Sequence, residues 1–207
     1  MIKTEWDYSD LAKFYGKRPP YADPVIDRVL SLANISSTAR ICDVGAGTGH
    51  LTVALLKRGY TVVAVEPNDA MRAFGIEACH PWPEGSWHAG TGEATGQPAA
   101  AFDLVTFGSS FNVVNRQAAL RETARILKPR GWFACLWNHR DLDDPLQAAV
   151  EKCIRRHVPD YDYGTRRADQ APVIAESGLF EPATCIEGTV RHRLNAADWI
   201  EAWRSHA

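Results

Sequence analysis

The sequence predicts a doubly wound α/β fold with a mostly parallel, Rossmann-like sheet, and three observations carry that prediction. Short apolar runs (ARICDVG at 39–45, TVVAVE at 61–66, FDLVTFG at 102–108, GWFACLWN at 131–138) lack inside-outside alternation, the mark of strands buried on both faces. Segments with apolar residues at helical spacing separate them, giving a β-α-β rhythm. Three glycines, Gly45, Gly47 and Gly49, stand at the first strand-to-helix turn.

The elements follow in order. Residues 1–36 are helical and aromatic, broken by KRPPY at 17–21. After the first strand, TGHLTVALLKRGY places Leu51, Leu55 and Leu56 on one helical face, with Gly59 as the stop. The second strand at 61–66 leads to a helix at 68–78 and a third strand, SWHAG, at 86–90. The fourth strand at 102–108 precedes a helix at 115–129 that Pro129 ends, and the fifth strand covers 131–138. Beyond it come mixed helix, a Pro- and Gly-bearing stretch at 157–172, a strand ATCIEGTVRHRL at 183–194, and a final helix at 195–207. One domain over 1–207 is expected: a helical cap at 1–36, a cofactor-binding core at 37–139 and a substrate-side segment at 140–207.

Bulk properties exclude several classes. The 207 residues are 45% hydrophobic and 23% charged, and no apolar run is long enough to span a membrane. A formal net charge of -2, without a long basic cluster, argues against a nucleic-acid partner. MIKTEWDYSD lacks the form of a secretory signal, and five scattered cysteines with no CxxC pair fit reduced thiols, so a cytoplasmic protein is expected. Cys42 and Cys135, inside strands, read as small hydrophobes. The histidines share no ligand spacing, and no metal is expected: His80, His88, His157, His192 and His206 read as surface residues or as supports around the site.

The chemistry concentrates in DVGAGTGH at 43–50. Dinucleotide sites use GxGxxG, whose last glycine would fall where His50 stands. Asp43, just before the turn, would repel a pyrophosphate arriving at the helix N-terminus and attract an ammonium group. Glu66, ending the second strand, can accept both hydroxyls of a ribose. An amino-acid-bearing nucleoside therefore fits better than NAD, although Glu66 alone suits either.

From about Tyr8 to Trp203 the sequence resembles the class I S-adenosylmethionine-dependent methyltransferases, in particular the small-molecule branch similar to the ubiquinone/menaquinone-biosynthesis type. Four pieces in register carry the resemblance: DVGAGTGHLTVALLKRGYTVVAVEPNDAM, GTGEATGQP, FDLVTFGSSFNVVN and ARILKPRGWFACLWNHRD. It implies S-adenosylmethionine as cofactor and S-adenosylhomocysteine as product. Asp43 with the backbone of Gly45, Ala46 and Gly47 would hold the methionine amino group, Glu66 the ribose, and Pro67 and Met71 would flank the adenine. Gly92 and Glu93 would close its edge, and Phe107, Gly108 and Ser109 would line the cofactor. Thr91 stands where the family often has Asp, so Glu93 or a backbone carbonyl would take over the contact with the adenine amino group.

The N-terminal YSDLAKFYGKRPPY resembles the family's leading helix. Arg18 is the candidate partner of the methionine carboxylate, and Tyr15 and Tyr21 could pack on the sulfonium or the acceptor. Methyl transfer from a sulfonium needs alignment and exclusion of water more than a catalytic dyad. His139 could act as a base, though a structural histidine is the stronger reading. Asn112, where the family frequently has His, could orient the acceptor. Trp137, with Trp132, Trp199 and Trp203, could line an acceptor pocket, but 199 and 203 share one helical face and read better as core.

The sheet of this family normally ends in an antiparallel hairpin. Residues 183–194 can be its first arm and no second arm is visible, so the sheet is expected to lack its last antiparallel strand. Either the chain is a shortened version of a longer member or another subunit covers the edge, leaving monomer and homodimer open. Three functions stand at this point: a small-molecule methyltransferase, an NAD(P)-dependent oxidoreductase, and a non-catalytic cofactor-binding module.

Overall fold

The structure is a computed structural model that describes residues 9–161 and 167–204. Tyr8 and His206 lie outside the described residues. The sheet is built from β1 (Arg40–Val44), β2 (Thr61–Val65), β3 (Gly85–His88), β4 (Phe102–Gly108) and β5 (Leu127–Leu136). Its order is β3-β2-β1-β4-β5, and every pairing is parallel. The order reverses between β1 and β4, and the crevice outside the carboxyl ends of these strands is where such sheets bind ligands.

Helices cover both faces, as strands without alternation require. On one face, Ile41, Val62, Leu104 and Leu136 pack against Ile26 and Leu30 of α2 (Asp23–Ala33) and against Leu51, Leu55 and Leu56 of α3 (His50–Leu56). On the other, Cys42, Val44, Val63, Val65, Val105 and Phe107 meet Ala119, Leu120 and Ile126 of α5 (Arg116–Ile126), with Ile174 of α7 (Ala171–Glu176). Phe107, Phe111 and Phe133 form an aromatic group there, Phe107 edge-on to both others, with ring centroids 5.3–5.7 Å apart. The remaining helices are α1 (Ala12–Tyr15), α4 (Asp69–Cys79), α6 (Pro145–His157) and α8 (Ala196–Trp203). Asn68, Asn115, Asp144 and Asn195 cap α4, α5, α6 and α8 by accepting backbone N–H groups, so the asparagine or aspartate before each helix fixes where it starts.

Two expectations are corrected. The helix at 115–129 stops at Ile126, three residues before Pro129, and β5 already begins at Leu127, which pairs with Phe102. Pro129 lies in the irregular stretch between that pair and the next, Leu104 with Trp132, where Arg130 adopts φ 65° and a missing N–H costs no ladder bond.

Residues 183–194 form no strand. The Phe180 ring meets Phe133 on one face of the sheet at 5.5 Å, while Gly188 lies against Val25 of α2 on the other. The chain between these anchors thus crosses the edge of β5 instead of running along it, and a crossing backbone cannot form a ladder. Among the described residues the sheet ends at β5 with Trp132 exposed, and no antiparallel strand is present.

Candidate functional site

The glycine turn sits at the switch point. Gly45 and Gly47 adopt φ of 66° and 59°, conformations that disfavour side chains, and a Cβ on Gly45 would also lie 2.5 Å from that of Ser110. The amides of Gly45 and Ala46 donate to the carbonyl of Val65, tying the turn to the end of β2. The exposed side of the turn is therefore bare backbone leading into α3.

Two carboxylates flank it. Asp43 is fully enclosed: its oxygens accept the hydroxyls of Thr52 at 2.7 Å and Thr106 at 2.9 Å. Burial raises its pKa to about 6, against the lowering effect of these hydroxyls. This corrects the expectation that Asp43 grips an amino group directly: its carboxylate points into the protein and reaches the turn only through its field.

Glu66 stands at the end of β2 beside the turn, held by backbone amides. One oxygen accepts the amide of Gly47 at 2.8 Å and the other that of Asn68 at 2.9 Å. Each keeps a second acceptor direction. Burial pushes its pKa up, and Arg72 braces the same residue by donating to its carbonyl at 2.8 Å.

The N-terminal segment makes contacts at or beyond the carboxyl ends of four strands. The hydroxyl of Ser9 accepts from Asn68 beyond β2 at 3.1 Å. Arg18 lies over the Tyr15 ring at 3.8 Å, and its charge, after burial, is the main influence depressing His50 at the start of α3. Tyr21 shares a 3.0 Å hydrogen bond with Ser109 beyond β4. Asn138, beyond β5, donates to the carbonyls of Pro19 and Pro20 at 3.1 and 3.0 Å. The chain thereby brings Tyr15, Arg18 and Tyr21 together above the turn.

On the β4–β5 side, Gly108 is half-buried beneath Tyr21 and Ser109 is exposed with φ 57°. Asn112 accepts the indole N–H of Trp137 at 2.9 Å, joining two predicted acceptor-side residues. His139 is exposed, and its pKa is lowered by its surroundings and by the charge of Arg167, so the ring is a neutral imidazole at neutral pH. Trp199 and Trp203 pack edge-on at 5.9 Å within α8, whereas Trp132 points outward from β5, so the four tryptophans do not form one pocket wall.

Other expectations need adjustment. Phe107 is fully buried in the aromatic core and cannot line an open cleft. Glu93 accepts the amide of Asn115 at 2.6 Å, so one oxygen fastens the 90–98 loop to the start of α5. Thr91 pairs with Ala94 in the same loop. Met71 is buried with its methyl beside Gly47, Pro67 is half-buried after Glu66, and Gly92 is buried against Val114 and Phe107.

Sequence reasoning missed Thr52 and Thr106. The signal was available: each is a hydroxyl in an otherwise apolar buried surface, and such a group needs a partner. His192, read as peripheral, lies close enough to influence His50 and hydrogen-bonds the carbonyl of Lys17 at 3.1 Å. A shallow hollow lined by Asp27, Asn34, Arg58 and Tyr60 holds none of the predicted residues.

Residues 42–135 match the family described as a methyltransferase domain. Over these residues the core is similar to methyltransferase domains. An uncharacterized methyltransferase of Mycobacterium tuberculosis is 36% identical over 124 residues, covering 60% of this chain and 48% of the relative. A ubiquinone/menaquinone biosynthesis C-methyltransferase of Caulobacter vibrioides is 32% identical over 146 residues, covering 64% and 57%. The chain spans about half the length of the curated relatives it matches. A solved structure described as an S-adenosyl-L-methionine-dependent methyltransferase from Methanococcus maripaludis superimposes with a TM-score of 0.63 at 17% identity, covering 86% of each chain, which establishes the fold of the domain. Among the described residues no helix is long and apolar enough to cross a membrane.

Proposed function

We propose that this chain binds S-adenosylmethionine through its methyltransferase domain and transfers the methyl group to a small-molecule acceptor by in-line displacement. The observation that carries the reading is Glu66, held by the amides of Gly47 and Asn68 beside a bare glycine turn, with Asp43 enclosed beneath. When bound, the cofactor supplies a methyl carbon on a sulfonium: the carbon–sulfur bond breaks as the acceptor's bond forms, and the electron pair returns to sulfur.

The residues fit that group. The free acceptor directions of Glu66 suit two ribose hydroxyls. The turn at Gly45–Gly47 admits a ligand against its backbone, and ionised Asp43 makes the local potential favour an ammonium. Arg18 supplies the cation for the carboxylate. A pyrophosphate would instead face two acids, and that disfavours an oxidoreductase. Tyr21, Asn112 and Trp137 stand on the acceptor side, and the segment at 9–21 excludes water above the turn. His139, neutral near pH 7, can take a proton where the acceptor must lose one.

The five free thiols are consistent with a cytoplasmic setting; the chain acts as a monomer or homodimer. Calorimetry with S-adenosylhomocysteine tests the reading: the unaltered protein binds, and Glu66→Ala loses about 10- to 100-fold in affinity, the weight of hydrogen bonds to a charged group. Binding of NADH with none of S-adenosylhomocysteine would overturn it. Tight binding with no turnover across an acceptor screen would leave a non-catalytic module.

A further inference from the structure

Ser109 is one of four described non-glycine residues with positive φ, and it stands at the mouth of the switch point. Left-handed backbone at a serine is uncommon and persists where surrounding contacts hold it. Here hydrogen bonds from both its amide and its hydroxyl hold it. The Ser109 amide donates to the carbonyl of Leu136 at 2.8 Å, continuing the β4–β5 ladder. Its hydroxyl, turned out of the sheet by that conformation, meets the Tyr21 hydroxyl at 3.0 Å. The next residue faces the other way: the Ser110 hydroxyl donates to the carbonyl of Val44 at 2.7 Å and packs against Gly45. One dipeptide thus ties the N-terminal segment above to the glycine turn below.

The approach of Tyr21 is itself built in. A Cβ at Gly108 would come within 2.8 Å of the Tyr21 hydroxyl, so glycine here makes room for the contact. Desolvation keeps the phenol protonated across the working pH range, so the pair remains two neutral hydroxyls. Tyr21 is the last residue of the segment that begins at Ser9 and passes over β2, β1 and β4. Its far end is fixed at Asn68 and its near end at Ser109 and Asn138. Whatever enters the cleft above Gly45–Gly47 must pass beneath this strip.

We propose that the Tyr21–Ser109 hydroxyl pair is the catch that holds the 9–21 segment closed over the cofactor cleft, with Ser109 a positioning residue that acts through Tyr21. The inference rests on the functional reading above for what lies under the segment. Serine at 109 then serves a purpose that glycine, which suits the backbone better, would not: it carries the hydroxyl.

The test uses the full chain as Tyr21→Phe, Ser109→Ala, Ser109→Gly and the Tyr21→Phe/Ser109→Ala double variant. Hydrogen exchange of the amides from 11 to 21 is measured without ligand, beside S-adenosylhomocysteine affinity and the thermal midpoint. Exchange rises about 3- to 10-fold in each variant, the weight of one hydrogen bond, and affinity falls by a similar factor. The double variant matches the single ones. Ser109→Gly melts higher than Ser109→Ala through relief of backbone strain, yet opens the segment equally, which a purely structural role for Ser109 would not give. Unchanged exchange, or effects that multiply in the double variant, would overturn the catch while leaving the functional reading intact. Failure of the unaltered protein to bind S-adenosylhomocysteine would instead overturn the role assigned to it, even with exchange altered.

Discussion

The region from Arg40 to Leu136 and the region after it are held together by different forces. In the first, strands buried on both faces present Ile41, Val62, Leu104 and Phe107 to helices, and the polar groups inside are few and individually satisfied, such as Asp43 with its two threonines. In the second, α6 and α8 are amphipathic and short of buried residues, contributing mainly Glu151 and Ala202. Charge does much of the joining there. Glu151, with 9% of its side chain exposed, accepts from Arg140 at 2.8 Å and from Arg155 at 2.9 Å. Arg140 also reaches the Tyr161 hydroxyl and lies over the Trp203 ring. Lys17 pairs with Asp198 and Glu201, docking α8 against the N-terminal segment. A core that excludes water fixes backbone to within a methyl group, whereas a charged crust fixes only which surfaces face one another. The glycine turn with Glu66 belongs to the first kind, and the docking of α8 on the N-terminal segment to the second.

That contrast can be broken in order of effect. Phe111→Ala, emptying the aromatic group beneath the site, should cost about 3–5 kcal/mol in urea unfolding. A loss under ~1 kcal/mol would show that the core repacks and is not the rigid half. Asp43→Asn comes next. The folded state holds the Asp43 proton more tightly than the unfolded chain, because its pKa lies near 6 against an ordinary 3.8. Its contribution to stability is therefore full below about pH 3.8 and disappears as pH rises through 6, a swing of about 3 kcal/mol. In the asparagine variant this slope of stability between pH 4 and 7 flattens, while S-adenosylhomocysteine binding at pH 7.5 weakens. A variant with the same slope as the unaltered protein would assign the swing to another group.

Glu151→Ala tests the charged region. Removing the carboxylate from two arginines should destabilise by about 2 kcal/mol, below the ~3–5 kcal/mol of fully buried pairs because Arg155 is half-exposed. The loss should appear in hydrogen exchange of α6 and leave β1 and β4 protected. Exchange rising equally throughout would mean that the two regions unfold as one. The smallest effect is Ile200→Ser, which alters a side chain 56% exposed on α8 and should shift stability by no more than ~0.5 kcal/mol. A larger loss in dilute solution would indicate that this face is covered by another chain.

The legibility of the sequence follows the same division. The five strands, the helices between them and the positions of Asp43, Gly45, Gly47 and Glu66 were readable because uninterrupted apolar runs and glycine at a turn are local consequences of burial and backbone sterics. The helices read at 68–78, 115–129 and 195–207 each begin at the asparagine that caps them. A place over the cleft for the N-terminal residues was suggested only through resemblance, since nothing local says that a segment at 9–21 crosses four strand ends. The strand expected at 183–194 failed for the opposite reason: TCIEGTV has β-like residues, yet its anchors at Phe133 and Val25 lie on opposite faces of the sheet.

By itself, then, the chain determined its class of fold and the acid-and-glycine pattern of the cleft, because these depend on which residues water rejects and which φ angles a side chain forbids. Tertiary structure alone decided where the carboxylates point. Whether Asp43 faces ligand or threonine, Glu93 an adenine or the start of α5, and Ser109 solvent or Tyr21 depends on groups 9 to 88 residues away in sequence, at distances of 2.6–3.0 Å. Hydrogen bonds are satisfied by proximity in space, and no sequence pattern records which of several neighbours will arrive.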